Sequence, residues 1–254
     1  MKFKLKLFIV LLAGIALTYT ACKKSSTNAA GPALSQQDVA SQVAINISQS
    51  LFGGLGFDIS GGLSAPTSFA VHTQGKVLQS LTNPDCGLVI DTTLSYTGTA
   101  NGGTASISGT VKFSFFCTNN IVSGFTTNDN LTISLASPDL SFTYKVGENL
   151  TLTSLNPVDY NSNLSLSGSL TSDGSYVYNK KSGTSVFNYA LTSLIFSPLE
   201  GDVVSGSATF NTKGSGPKGV WNYQGTIVFL GNQMAKVTIN GTVYTVNLQT
   251  GAVS

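Results

Sequence analysis

The chain has 254 residues, of which 41% are hydrophobic and only 9% charged. That apolar fraction is ample for a folded core and excludes a disordered chain. All 13 basic residues are lysines; with no guanidinium for bidentate phosphate recognition and no basic patch, nucleic-acid binding is excluded.

The first element is a leader. Lys2, Lys4 and Lys6 precede an uncharged run from Leu7 to Leu17, the cationic-then-apolar order of a secretory signal. The run is shorter than the roughly 20 apolar residues that span a bilayer. Tyr19-Thr20-Ala21 then leads into Cys22. This segment resembles a bacterial lipobox, with Ala21 in the small-residue position and Tyr19 where leucine is usual. Cys22 followed by Lys-Lys-Ser-Ser is similar to the start of lipoproteins of the Bacteroidetes group. The resemblance implies that residues 1–21 are a signal peptide and that Cys22 is lipidated and anchors the chain in a membrane. Lys23 stands where an acidic residue would signal inner-membrane retention, so the resemblance points to the outer membrane. No acidic patch follows, which implies a periplasm-facing orientation. Loss of three lysines with the signal leaves ten against eleven acids, a balance of −1.

Residues 22–34 read as a flexible tether, small and polar with Gly31 and Pro32. Residues 35–254 read as a single β domain that opens with one helix over 35–52. Ser35 can cap that helix, with Asp38 in the reciprocal position. Val39, Val43, Ile47 and Leu51 follow at i+4 spacing, and Gly53-Gly54 should end it. A glycine-rich apolar loop comes next. His72, the only histidine, sits in a short strand-like segment and reads as a half-exposed strand residue.

From about residue 87 the hydrophobic period is two. Folding the chain at Asn101-Gly102, a strong hairpin signal, sets Leu88, Ile90, Leu94 and Tyr96 opposite Phe115, Phe113, Gly109 and Ile107. On the other face Asp91 falls opposite Lys112. The same register sets Cys86 opposite Cys117. Export, with Cys22 occupied by lipid, leaves these two as an even pair, so a disulfide is expected. A two-residue turn would put that pair at a hydrogen-bonded site. A four-residue loop from Ala100 to Gly103 would bring the side chains closer, and that loop is expected.

A second hairpin folds around Pro138-Asp139, with Leu135, Ile133 and Leu131 meeting Phe142, Tyr144 and Val146. Further strands are expected near 150–155, 162–171, 175–180, 184–197 and 203–211. The C-terminus reads as a three-stranded meander. Asn240-Gly241 pairs Val237 with Tyr244, and a three-residue loop at Gly231-Asn232-Gln233 pairs Phe229 with Ala235. The fold expected is all-β: an antiparallel up-and-down meander of long strands, closed or open as a barrel, with one N-terminal helix. A two-sheet sandwich is the alternative.

Chemistry is sparse. There is no zinc pattern, P-loop, dinucleotide fingerprint or nucleophile elbow, so no metal, cofactor or enzymatic activity is expected. Glu200-Gly201-Asp202 reads as a turn. Trp221, Tyr223, Ile227, Phe229 and Tyr244 share one strand face and form the candidate apolar face, either core or the lining of a ligand site. The function expected is a lipid-anchored, non-enzymatic envelope protein holding an apolar ligand or lipid on a concave sheet. The likeness to periplasmic lipid-carrier half-barrels and lipocalins is architectural only. The alternative is a structural or adhesive module binding glycan or protein. An acyl-chain probe should label the wild-type chain in cells and leave Cys22→Ser unlabelled; equal labelling of both would refute lipidation.

Overall fold

The computed structural model describes residues 34–52, 86–100, 103–159 and 161–254. They form one helix, α1 (Gln36–Phe52), and ten strands: β1 (Val89–Ala100), β2 (Gly103–Thr118), β3 (Ile121–Ala136), β4 (Leu140–Ser154), β5 (Leu164–Tyr178), β6 (Lys181–Ser197), β7 (Asp202–Gly216), β8 (Gly219–Gly231), β9 (Met234–Ile239) and β10 (Thr242–Asn247). All ten belong to one sheet in sequence order, and every adjacent pair is antiparallel. The first and last strands do not pair. The meander is therefore open: neither a closed barrel nor a sandwich. Cys22, His72 and the helix-ending Gly53-Gly54 lie outside the described residues.

The first hairpin has the expected register, with Ile90 opposite Phe113, Asp91 opposite Lys112 and Tyr96 opposite Ile107. The Pro138-Asp139 hairpin and the Asn240-Gly241 hairpin also pair as expected. Three details differ. The segments at 142–146 and 150–155 are one strand, β4, and those at 162–171 and 175–180 are one strand, β5. Gly147-Glu148-Asn149 and Ser172-Asp173-Gly174 look like turns, but their backbones stay in the ladder. At Gly231 the loop is only two residues long, because Gly231 pairs with Met234 and the register shifts behind it. Asn232 and Gln233 both take positive φ, 52° and 58°, the twist a two-residue hairpin needs.

The third difference concerns the cysteines. Cys86 and Cys117 lie at disulfide distance, with Cα atoms 5.5 Å apart. The loop that was to bring them together is not four residues long, since Ala100 still pairs with Gly103. The adjustment is made at the other end of the strand. Phe115 N–H donates to the Leu88 carbonyl, while Gly87 N–H donates to the Phe115 carbonyl. Two residues thus oppose one, as in a β-bulge, and Gly87 adopts φ 76°.

Side chains on one face of all ten strands join α1 in a single apolar core. A flat sheet this wide could not bring both halves against one helix, so the sheet curls its inner face around it. Glycine permits the curl. Gly109 in β2 has φ +144° and Gly168 in β5 has φ +136°, and a Cβ at either would strike the backbone of the neighbouring strand. Large rings on the crowded inner face sit opposite glycines: Tyr144 faces Gly174, Phe210 faces Gly225, and Trp221 faces Gly214. The outer face is polar and short-chained. Thr110, Asn130, Thr171, Asn188, Asn211 and Gln224 fall in one row across it, and the Asn188 side-chain amide donates to Asn211 Oδ1 at 2.8 Å.

With the two cysteines 31 positions apart in sequence, a bridge that restricts the unfolded chain is worth about 4 kcal/mol on the loop-entropy scale. Thiol titration in denaturant without reductant should find neither Cys86 nor Cys117 reactive. Reduction should lower the unfolding midpoint. Two free thiols in a Cys22→Ser protein would refute the bridge.

Candidate site on the inner face of the sheet

Helix α1 is set in place at its start. Asp38 N–H donates to Ser35 Oγ at 3.1 Å and Ser35 N–H donates to Asp38 Oδ2 at 3.3 Å, so two otherwise orphaned donors are satisfied. Val39, Ala40, Val43, Ala44 and Ile47 are wholly buried. Tyrosines reaching from three strands fix the helix over the sheet. Tyr223 Oη in β8 donates to the Leu34 carbonyl at 3.0 Å and Tyr189 Oη in β6 to the Val43 carbonyl at 3.3 Å. Tyr244 Oη in β10 donates to Gln36 Oε1 at 3.2 Å. Ser41 Oγ donates to the Gly251 carbonyl at 2.7 Å, tying the helix to the chain's end. These contacts lay the helix across the strands, from β8 and β10 toward β6.

Trp221, Tyr223, Ile227 and Phe229 are buried and Tyr244 is partly buried, all within the one core. Their role is narrower than a ligand face would require. Tyr223 and Tyr244 are already bonded to the helix and its leading residue, so this part of the sheet is closed by the protein itself.

The opposite half of the inner face is less covered. Leu94, Ile107, Ile133, Leu135, Tyr144 and Val146 point inward from β1 to β4 yet are only half-buried. They lie toward the ends of the strands where the β1–β2 and β3–β4 turns occur. A contiguous, partly open apolar surface on the inside of a curled sheet is the arrangement that accepts apolar molecules.

Beside it, deeper along the same strands, lies a feature that alternation alone did not flag. Asp129 of β3 and Glu148 of β4 are direct cross-strand partners. They point inward, and only 1% and 7% of their surfaces are exposed. Their row continues to Val111 on one side and Leu170 on the other, both buried. Lys112 backbone N–H donates to Asp129 Oδ1 at 3.2 Å, while Asp129 Oδ2 has no partner. Thr127, one step along β3 on the same face, is 1% exposed and its Oγ1 is also unpartnered. On β7 and β8 the inward Thr212 Oγ1 and Trp221 Nε1 lack partners too. Burial raises the Glu148 carboxyl to about 7, with the charge of Asp129 adding to it. Asp129 is raised by burial, against the lowering effect of the nearby Thr127 hydroxyl and of the Lys112 N–H. Two carboxyls this close in an apolar setting do not both ionise readily.

The signal for this pair was present as a conflict of phase. Asp129 occupies the apolar phase of Phe125, Leu131 and Ile133, and Glu148 that of Val146, Leu150 and Leu152. Both were obscured by neighbouring Asn and Gly that suggest turns. Glu200 and Asp202 flank the β6–β7 turn. Asp202 Oδ2 accepts from Gln233 N–H at 2.8 Å, a structural contact. Among the described residues no group of three or more His, Cys, Asp or Glu side chains is placed to hold a metal.

No protein-family model, curated protein or solved structure matches the chain.

The buried pair makes stability depend on pH. The folded state raises the Glu148 carboxyl from 4.5 to about 7, so the folded protein holds this proton more tightly than the unfolded chain. The stabilisation is complete below pH 4.5 and is lost as pH rises through 7. The full swing is roughly 3 kcal/mol by linkage. Urea midpoints should fall between pH 5 and pH 8, and Glu148→Gln should flatten that dependence. An unchanged slope in Glu148→Gln would show that the titration lies elsewhere.

Proposed function

We propose that this chain is a lipid-anchored, non-enzymatic protein of the cell envelope that holds an apolar ligand or lipid against the inner face of its open sheet. The anchor is Cys22 at the outer membrane, with the domain facing the periplasm. The observation that carries the ligand reading is the uneven cover of the inner face. Helix α1 and the tyrosines bonded to it close the β6–β10 half, while Ile107, Ile133, Tyr144 and Val146 on the other half stay half-buried. Apolar surface held at a sheet's concavity and left partly open is costly unless something occupies it. The open edge between β1 and β10 lets such a sheet admit a chain that a closed barrel of filled side chains would exclude.

A structural or adhesive module is the second reading, favoured by the rows of Ser, Thr and Asn on the outer face. Hydrogen bonds within those rows, such as Ser106 Oγ to Ser134 Oγ at 2.7 Å, already use part of their capacity.

The test uses the mature chain, residues 22–254 with Cys22→Ser, whose described core begins at Leu34. Solvent extraction should release co-purified lipid, and dodecanol should bind saturably. Calorimetry reports binding wherever on the sheet it occurs. A monodisperse protein that releases no lipid and shows no saturable response would reject the ligand reading in favour of the module.

A further inference from the structure

We infer that the inner face selects an amphiphile with a protonated amine head, the ammonium group seated on Asp129 and Glu148 and the chain running out along Leu131, Val146, Ile133 and Tyr144. The inference rests on the proposed apolar-ligand function and names the chemistry of that ligand's head.

Four observations converge. The two carboxyls are cross-strand partners on the inner face. Among the described residues no cationic side chain shares that face with them: Lys112 and Lys145, the nearest in sequence, lie on the opposite phase of their strands and are exposed. The acids are therefore acceptors without a charged donor, in surroundings where an unpaired carboxylate is expensive. Independently, Thr127 Oγ1, buried on the same face one step from Asp129, is unpartnered, as is Asp129 Oδ2. Both can accept a hydrogen bond. An ammonium group brings three donors and one positive charge, which matches two carboxyl groups and a hydroxyl. A fatty-acid head would instead add a third carboxyl to the cluster.

The location sets the ligand's direction. From the acid pair, the next inward row toward the β3–β4 turn holds Leu131 and Val146, and the row beyond holds Ile133 and Tyr144. Leu131 is buried, while Val146, Ile133 and Tyr144 are half-buried. Apolar lining thus runs from the acids to half-buried Ile133 and Tyr144, with Phe142 buried in the row beyond, so the molecule's head lies at the acids and its chain along the partly open patch. The apolar row explains why an amine with a tail is favoured over a free amine or an inorganic cation, neither of which would cover Ile133 or Tyr144.

The experiment compares dodecylamine, dodecanol, dodecanoic acid and ethanolamine, each titrated into the residue 22–254 Cys22→Ser protein at pH 7 with calorimetry. Dodecylamine should bind at least tenfold more tightly than dodecanol and dodecanoic acid, and ethanolamine should not bind measurably. Asp129→Asn and Glu148→Gln should each remove that preference while dodecanol binding persists, which also shows that the variants fold. If a variant fails to fold, the wild-type series decides alone. Equal affinity for the three long-chain probes overturns the amine inference and leaves the apolar-ligand function standing. Ethanolamine binding as well as dodecylamine reassigns the acids to a simple cation site and overturns the inference. Absence of all binding overturns both.

Discussion

An open sheet with one apolar face has to have that face covered, and the rest of this structure follows from how the cover is arranged. The alternation along ten strands sends Ser, Thr and Asn outward, where water serves them, and sends Ile, Leu, Phe and Tyr inward. A closed barrel would cover the inner face by filling itself. Here the edges stay apart, so the sheet curls and α1 lies across its interior. The helix is short, about 25 Å for its 17 residues. Hydrogen bonds from Tyr189, Tyr223 and Tyr244 fix its N-terminal half against the β6–β10 half. Among the described residues one helix covers the sheet, and the β1–β4 half retains half-buried apolar surface.

Polar groups inside such a sheet carry consequences that the same groups would lack outside. The hydroxyls that bond α1 satisfy carbonyls that the apolar interface would otherwise leave with fewer partners, and they give the helix one position rather than many. Asp129 and Glu148 are the opposite case. Their burial raises both carboxyls, and the charge of Asp129 raises Glu148 further. An isosteric apolar pair would pack there more cheaply. Two buried acids at the junction of the filled and the partly open inner surface are the physical reason for proposing that they hold a ligand's head.

The fold was legible wherever turn chemistry and alternation agreed. At β1–β2 the Asn-Gly turn, the Asp91–Lys112 pair and the two cysteines required one register, and a one-residue slip would have broken all three. The β3–β4 and β9–β10 hairpins were legible for similar reasons. Legibility failed where strands run through polar residues. Gly147-Glu148-Asn149 and Ser172-Asp173-Gly174 have turn composition, but long-range ladders on both sides hold them extended, and tertiary pairing overrides local preference. The bulge at Gly87 could not be seen either, since a glycine with φ 76° there looks like any other. Trp221, Tyr223, Ile227 and Phe229 share the phase of one strand face and are buried in the core. Which part of the inner face the helix would close depends on its crossing direction, and that has no local signature. Each acid breaks the apolar phase of its own strand, but that the two meet follows only from the register between β3 and β4.

Methyl NMR on the residue 22–254 Cys22→Ser protein, titrated with a twelve-carbon amphiphile, tests the division of the inner face most directly. The account predicts saturable shifts at Ile107, Leu131, Ile133 and Val146, with Val39, Val43 and Ile47 of the helix unmoved. Shifts confined to outer-face or loop methyls such as Val220 and Leu199, or displacement of the helix methyls with none at β2 to β4, would contradict it.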